Sequence, residues 1–189
     1  ASGGATAGSE DLSRIVLGGA GGQGGINDAF NNVSMYSSGG GNGGGAVLAF
    51  ARDLTVHGRI TANGAQGVDN HNDANYGFQA AGGGGAGGSI RVVTDVANAG
   101  EERILASGGR GGYARYPGGP TDDRNGGNGG AGRIRIEYCQ SLTGTSLPAA
   151  SEAFADCGET SAPSTTAPVS GTPSPSGWRC SHQGWSEDE

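Results

Sequence analysis

Glycine triplets constrain this chain more than any other feature. Glycine runs stand at 18–25, 39–45, 82–88, 108–112 and 126–132. Several are written in threes, as in Gly18-Gly19-Ala20-Gly21-Gly22-Gln23-Gly24-Gly25, Gly108-Gly109-Arg110-Gly111-Gly112-Tyr113 and Gly126-Gly127-Asn128-Gly129-Gly130-Ala131. A period of three fits an extended helix with three residues per turn, the polyproline-II geometry, which makes no internal hydrogen bonds. Its backbone N–H and C=O groups point outward and need water or a neighbouring strand to satisfy them. Glycine on two of three faces lets such strands lie side by side. The same composition also reads as a flexible linker or low-complexity chain. Against that reading, each run is joined to a short apolar segment.

The joined units recur. Ala46-Val47-Leu48-Ala49-Phe50, Ser89-Ile90-Arg91-Val92-Val93 and Arg133-Ile134-Arg135-Ile136-Glu137 align at offsets of 43 and 44 residues, each directly after glycine. A second column aligns Arg14-Ile15-Val16-Leu17, Arg59-Ile60-Thr61-Ala62 and Arg103-Ile104-Leu105-Ala106 at offsets of 45 and 44. Periods of this size mark arrays in which no unit buries its apolar face alone. The expected fold is mainly β with polyglycine-II: three repeats of about 44 residues, each of short β-strands and packed glycine helices, with negligible α-helix. These repeats form one domain over 14–157, with 14–17 as its first strand. The clearest strand is at 133–138, where Ile134, Ile136 and Tyr138 alternate with Arg133, Arg135 and Glu137. Gly58 marks a hairpin or a solenoid corner.

Flanking this domain, residues 1–13 read as an extended N-terminal arm. Residues 158–177 are rich in serine, threonine and proline and read as an extended linker. Thr165, Thr166 and Thr172 are its candidates for O-glycosylation, and Asn32-Val33-Ser34 offers Asn32 for N-glycosylation. Residues 178–189 form an acidic tip whose Trp178 and Trp185 read as anchors for docking on a partner.

Composition limits what can hold such a chain together. With 42 glycines among 189 residues and 33% hydrophobic residues, an ordinary core is out of reach. Glycine loses the most backbone entropy on folding, so interstrand bonding, crosslinks or assembly must compensate. A net charge of −7 argues against a nucleic-acid partner. No apolar run nears the roughly 20 residues that span a bilayer, and Ala1 reads as the start of a processed product.

Cys139, Cys157 and Cys180 are an odd count, which in an exported protein leaves one thiol free or intermolecular. Their spacing matches no zinc signature. A bond between Cys139 and Cys157 would close about 19 residues and contribute about 3 kcal/mol in the chain-entropy model.

Chemistry-bearing motifs are few. Gly19-Ala20-Gly21-Gly22-Gln23-Gly24 matches a dinucleotide fingerprint, but no helical pattern follows and no acidic residue lies about 20 positions on. His57, His71 and His182 are scattered, and no nucleophile elbow exists, so no enzyme is expected. Asp69 and Asp73, with Asp122 and Asp123, supply hard oxygens suited to calcium, the one cofactor considered; solvated acidic loops are the commoner meaning. Tyr76, Phe78, Tyr113 and Tyr116 fall on variable loops, where they would serve a carbohydrate-binding or adhesive module with surface glycans as partners. An ice-binding protein would carry a regular array of threonine or other small groups. Here the third positions of the triplets are Ala, Gln, Asn, Arg and Tyr.

Residues 82–92, 106–112 and 129–139 together resemble the glycine-rich repeats of large bacterial surface and secreted proteins. In that family a segment similar to 132–145 precedes a second cysteine, matched here by Cys157. The resemblance covers roughly residues 14–157. It implies an extracellular structural or adhesive role and a Cys139–Cys157 disulfide, and it brings no catalytic residues. The expectation that follows is a self-associating subunit of an extracellular filament or sheath, whose tail, 158–189, packs on a neighbouring copy.

Overall fold

The computed structural model describes residues 8–25, 37–71, 80–115 and 124–156. Across them the chain is mainly β, its sheets are parallel and no residue lies in an α-helix. The strands are β1 (Ala46–Thr55), β2 (Ile60–Thr61), β3 (Asn70–His71), β4 (Ser89–Asn98), β5 (Ile104–Leu105), β6 (Ala114–Arg115), β7 (Arg133–Thr143), β8 (Ser146–Leu147) and β9 (Ser151–Phe154). They form three sheets, ordered β1-β4-β7-β9, β2-β5-β8 and β3-β6.

Alternation decides which side chains meet. Ala46 pairs with Ser89 and Ser89 with Arg133, so Val47, Ile90 and Ile134 fall in one row and Ala49, Val92 and Ile136 in the next. Both rows pack with Val56, Ala62, Ala97, Ala99, Ile104 and Ala106 into the aliphatic core. Each fully buried Ile or Val contributes about 1.5–3 kcal/mol by leaving water. The small sheet covers this face, with Ile60 partly buried against the core beside Ile104. β1 and β2 therefore belong to different sheets, and the turn at Gly58 is a corner between layers rather than a hairpin.

On the other face of the long sheet the simple alternation fails. Glu137 is only 5% exposed. Arg91, its diagonal neighbour on β4, donates from Nε to Oε1 at 3.1 Å and from Nη2 to Oε2 at 3.2 Å. Arg135 donates from Nε to Oε1 at 3.3 Å. Two guanidinium groups thus compensate a carboxylate withdrawn from water.

The N-terminal segment departs from the expected first strand. Residues 14–17 join no sheet, and Val16 instead exchanges hydrogen bonds with the Ser89 hydroxyl, at 3.2 Å from its N–H and 2.7 Å to its carbonyl. The third strand of the β2–β5 sheet is instead β8, which pairs with β5 on the side away from β2. The cause is placement rather than direction: 18–25 runs in the same sense as 62–68, both antiparallel to 38–44, but it takes a separate place beside 38–44 and 80–86 and so carries 14–17 to a different neighbour. Before it, Leu12 closes a turn onto Ser9 and is fully buried, and Glu10 lies 3.4 Å from Arg133. Asp11 is held below the ordinary carboxylate range, chiefly by a hydrogen bond from the Ser9 side chain and then by the Ser13 N–H.

Candidate functional site

The glycine segments that lead into the long strands meet in a bundle, with 80–88 at its centre. Its N–H groups are distributed in turn. Gly82, Gly85 and Gly88 donate to the carbonyls of Val68, Ala65 and Ala62; Ala80, Gly83 and Ala86 donate to Gly25, Gly22 and Gly19; Ala81, Gly84 and Gly87 donate to Arg124, Gly127 and Gly130. In return Gly82 and Gly85 accept from Gly112 and Gly109, while Gly83 and Ala86 accept from Gly41 and Gly44. All these bonds span 2.7–3.0 Å, and they tie one segment to five neighbours.

Steric room explains where glycine is obligatory. A Cβ at Gly82, Gly85 or Gly88 would lie 1.8–2.0 Å from a carbonyl oxygen of 39–45, and one at Gly84 or Gly87 would lie 2.1 Å from an oxygen of 106–109. At Gly83, in the third phase, the nearest atom is 3.3 Å away, and the flanking residues of that phase are Ala80 and Ala86. Positions 82, 84, 85, 87 and 88 are therefore closed to side chains, and the phase of 80, 83 and 86 tolerates a methyl group. Between 18–25 and 124–130, over 80–86, the bundle is open and leaves a groove of about 540 Å³.

One end of this bundle gathers several chain ends. Gly25 accepts from Ala80, Gly24 donates to Ser38, Arg124 accepts from Ala81, and β3 pairs with β6. The described residues that flank 26–36, 72–79 and 116–123 thus all lie at that end. Nearby, the Arg110 guanidinium sits 4.9 Å from the centroid of the half-exposed Tyr113 ring, a cation–π contact.

Side chains that the sequence did not single out complete the bundle. Asn63, Asn125 and Asn128 accept the N–H groups of Ser107, Ala114 and Gly111 at 2.8–2.9 Å through Oδ1. Their signal was present as asparagine within or beside glycine triplets. Asp69, a calcium candidate, uses Oδ1 the same way, accepting from the Tyr113 N–H at 2.7 Å and from Gln66 Nε2 at 3.4 Å. Among the described residues no three His, Cys, Asp or Glu side chains group to hold a metal. Among the described residues no helix is long and apolar enough to cross a membrane.

Cys139 is disulfide-bonded and lies with Sγ 3.3 Å from Asp95 Oδ1. Its proposed partner Cys157, together with Cys180, Asn32, Thr165, Thr166, Thr172, Trp178, Trp185, Asp73, Asp122 and Asp123, lies outside the described residues. So do Tyr76, Phe78 and Tyr116. No protein-family model, curated protein or solved structure matches the chain.

Proposed function

We propose that this chain is an extracellular structural protein, a subunit of a filament or surface sheath, built from repeats whose glycine segments pack as polyglycine-II helices. The observation that carries the reading is the hydrogen bonding of 80–88, which changes neighbour at every residue and returns to the same neighbour every third residue. That is the bonding expected of parallel and antiparallel strands with three residues per turn. Such a lattice has no natural boundary. Its outer segments keep outward N–H and C=O groups that another chain can satisfy. The disulfide at Cys139 fits an oxidising, extracellular setting.

In this reading the tail 158–189 docks on a neighbouring subunit through Trp178 and Trp185, a head-to-tail contact that generates open filaments. A proline-rich segment is already extended, so docking it costs less entropy than ordering a flexible chain. The experiment is deletion of 158–189, followed by negative-stain microscopy of native-condition samples. The intact chain is expected to form polymers and the truncated chain to form none. Truncated subunits that still build the native polymer, or an intact chain that stays monomeric at high concentration, would overturn the proposal.

A second reading, an adhesive module that binds surface glycans, draws on the chain ends gathered at one end of the bundle beside Arg110 and Tyr113. Binding to a glycan array, lost on Tyr113→Ala, is its expected signature.

A further inference from the structure

We propose that the groove between 18–25 and 124–130 receives the 18–25 segment of a second copy of this chain. The inference rests on the assembly reading above and names one contact within it.

In a close-packed array of strands with three residues per turn, each strand has six neighbours; it donates N–H groups to three of them and accepts from the other three. Segment 80–88 donates on three sides and accepts on two. The unused carbonyls follow the same threefold phase: Ala81, Gly84 and Gly87 accept no hydrogen bond from any described residue. Ala81 and Gly84 line the groove. The missing sixth neighbour and the open groove are the same place.

The adjoining groove shows which occupant such a site takes. There 18–25 lies against both 38–44 and 80–86, with Gly18, Gly21 and Gly24 donating to Gly44, Gly41 and Ser38 at 2.8 Å each. Gly19, Gly22 and Gly25 accept on its other flank. After those bonds, the N–H groups of Gly19, Ala20, Gly22 and Gln23 have no hydrogen-bond partner among the described residues. A second copy therefore brings free donors to a groove that offers free acceptors.

A second observation points the same way. A Cβ at Gly19, Gly22 or Gly25 would meet nothing within 4 Å, so the single molecule offers no steric reason for glycine there. All three line the groove. A two-fold axis running along the groove places each copy's 18–25 in the other's groove, and Gly19, Gly22 and Gly25 of the two copies then lie side by side. This is a self-complementary, isologous contact.

The test is sedimentation velocity of the full chain over a wide concentration range, alongside the Gly19→Val/Gly22→Val double variant and Gly45→Val. Gly45 also has open space at its Cβ but lies outside the groove. Thermal unfolding at low concentration checks that all three fold alike. Wild type and Gly45→Val are expected to pair, and the double variant to pair about tenfold or more weakly. As a second measurement that needs no variant to fold, a synthetic peptide of residues 17–26 in excess is expected to dissociate the wild-type pair, while the same peptide carrying Gly22→Val does not.

A double variant that pairs as tightly as wild type overturns the inference, as does a wild-type chain that stays monomeric, or a pair indifferent to the peptide. Polymers seen equally in wild type and double variant sink the groove contact and leave the assembly reading standing. Pairing lost in the double variant, with no polymer from the wild type, does the reverse.

Discussion

At Gly85 an added methyl group would stand 2.0 Å from the carbonyl oxygen of Asn42, whereas at Gly22 it would meet nothing within 4 Å. The two glycines are indistinguishable in the sequence, yet the consequences of replacing them have opposite sign. Gly85→Ala forces backbone segments apart and is expected to cost about 1–3 kcal/mol or more, the range for overpacking a filled interior. Gly22→Ala removes unfolded-state freedom without a clash and is expected to stabilise the dilute monomer by about 0.4–1 kcal/mol. Urea denaturation of the two variants beside wild type checks both. If Gly85→Ala unfolds at the wild-type midpoint, the close approach at that position is wrong.

At the scale of elements, β4 and β7 carry the aliphatic core on one face and a charged cluster on the other. Ile90 and Ile134 are buried as their alternation requires, but Glu137, which the same alternation would leave in water, is withdrawn between Arg91 and Arg135. Glu137→Ala leaves two partly buried guanidinium groups without their shared acceptor and is expected to cost about 1–3 kcal/mol. Glu10 offers a contrast, since it also pairs with an arginine, Arg133 at 3.4 Å, but is itself 78% exposed at the side chain. Glu10→Ala is expected to change stability by less than about 1 kcal/mol. Equal effects of the two substitutions in urea titrations would refute the distinction between a withdrawn and a surface carboxylate.

At the scale of the whole molecule, among the described residues the long sheet has β1 and β9 at its two edges with no further strand paired to them, and Leu48, Phe50 and Phe154 on them are exposed. Open edges with exposed apolar side chains are templates for further pairing, which suits a chain proposed to assemble. Cys139 anchors the β7 side of this sheet through a disulfide. Non-reducing peptide mapping is expected to recover Cys139 joined to Cys157, and reduction to cost about 3 kcal/mol in the chain-entropy model. Cys139 recovered joined to Cys180 would reassign the odd cysteine and tie the tail to the sheet instead.

What the residues alone determine here is local and periodic. A three-residue glycine period specifies how often a segment can present the same face, and the offsets between 46–50, 89–93 and 133–137 equal the register in which β1, β4 and β7 pair. Asn128 was visible as a third-position residue and Asn63 and Asn125 as neighbours of glycine, but none as an acceptor, because their donors lie 11–44 residues away. The expected strand at 14–17 failed for a related reason. Its likeness to 59–62 and 103–106 is a likeness of side chains, and side chains do not encode which place in the bundle 18–25 takes: it runs in the same sense as 62–68 but in a separate place. Direction and neighbour are decided by which backbone donors find acceptors once all segments are in place. A glycine has no side chain with which to declare its partner, so only the folded molecule could distinguish the glycines of a closed interior from those lining an open groove.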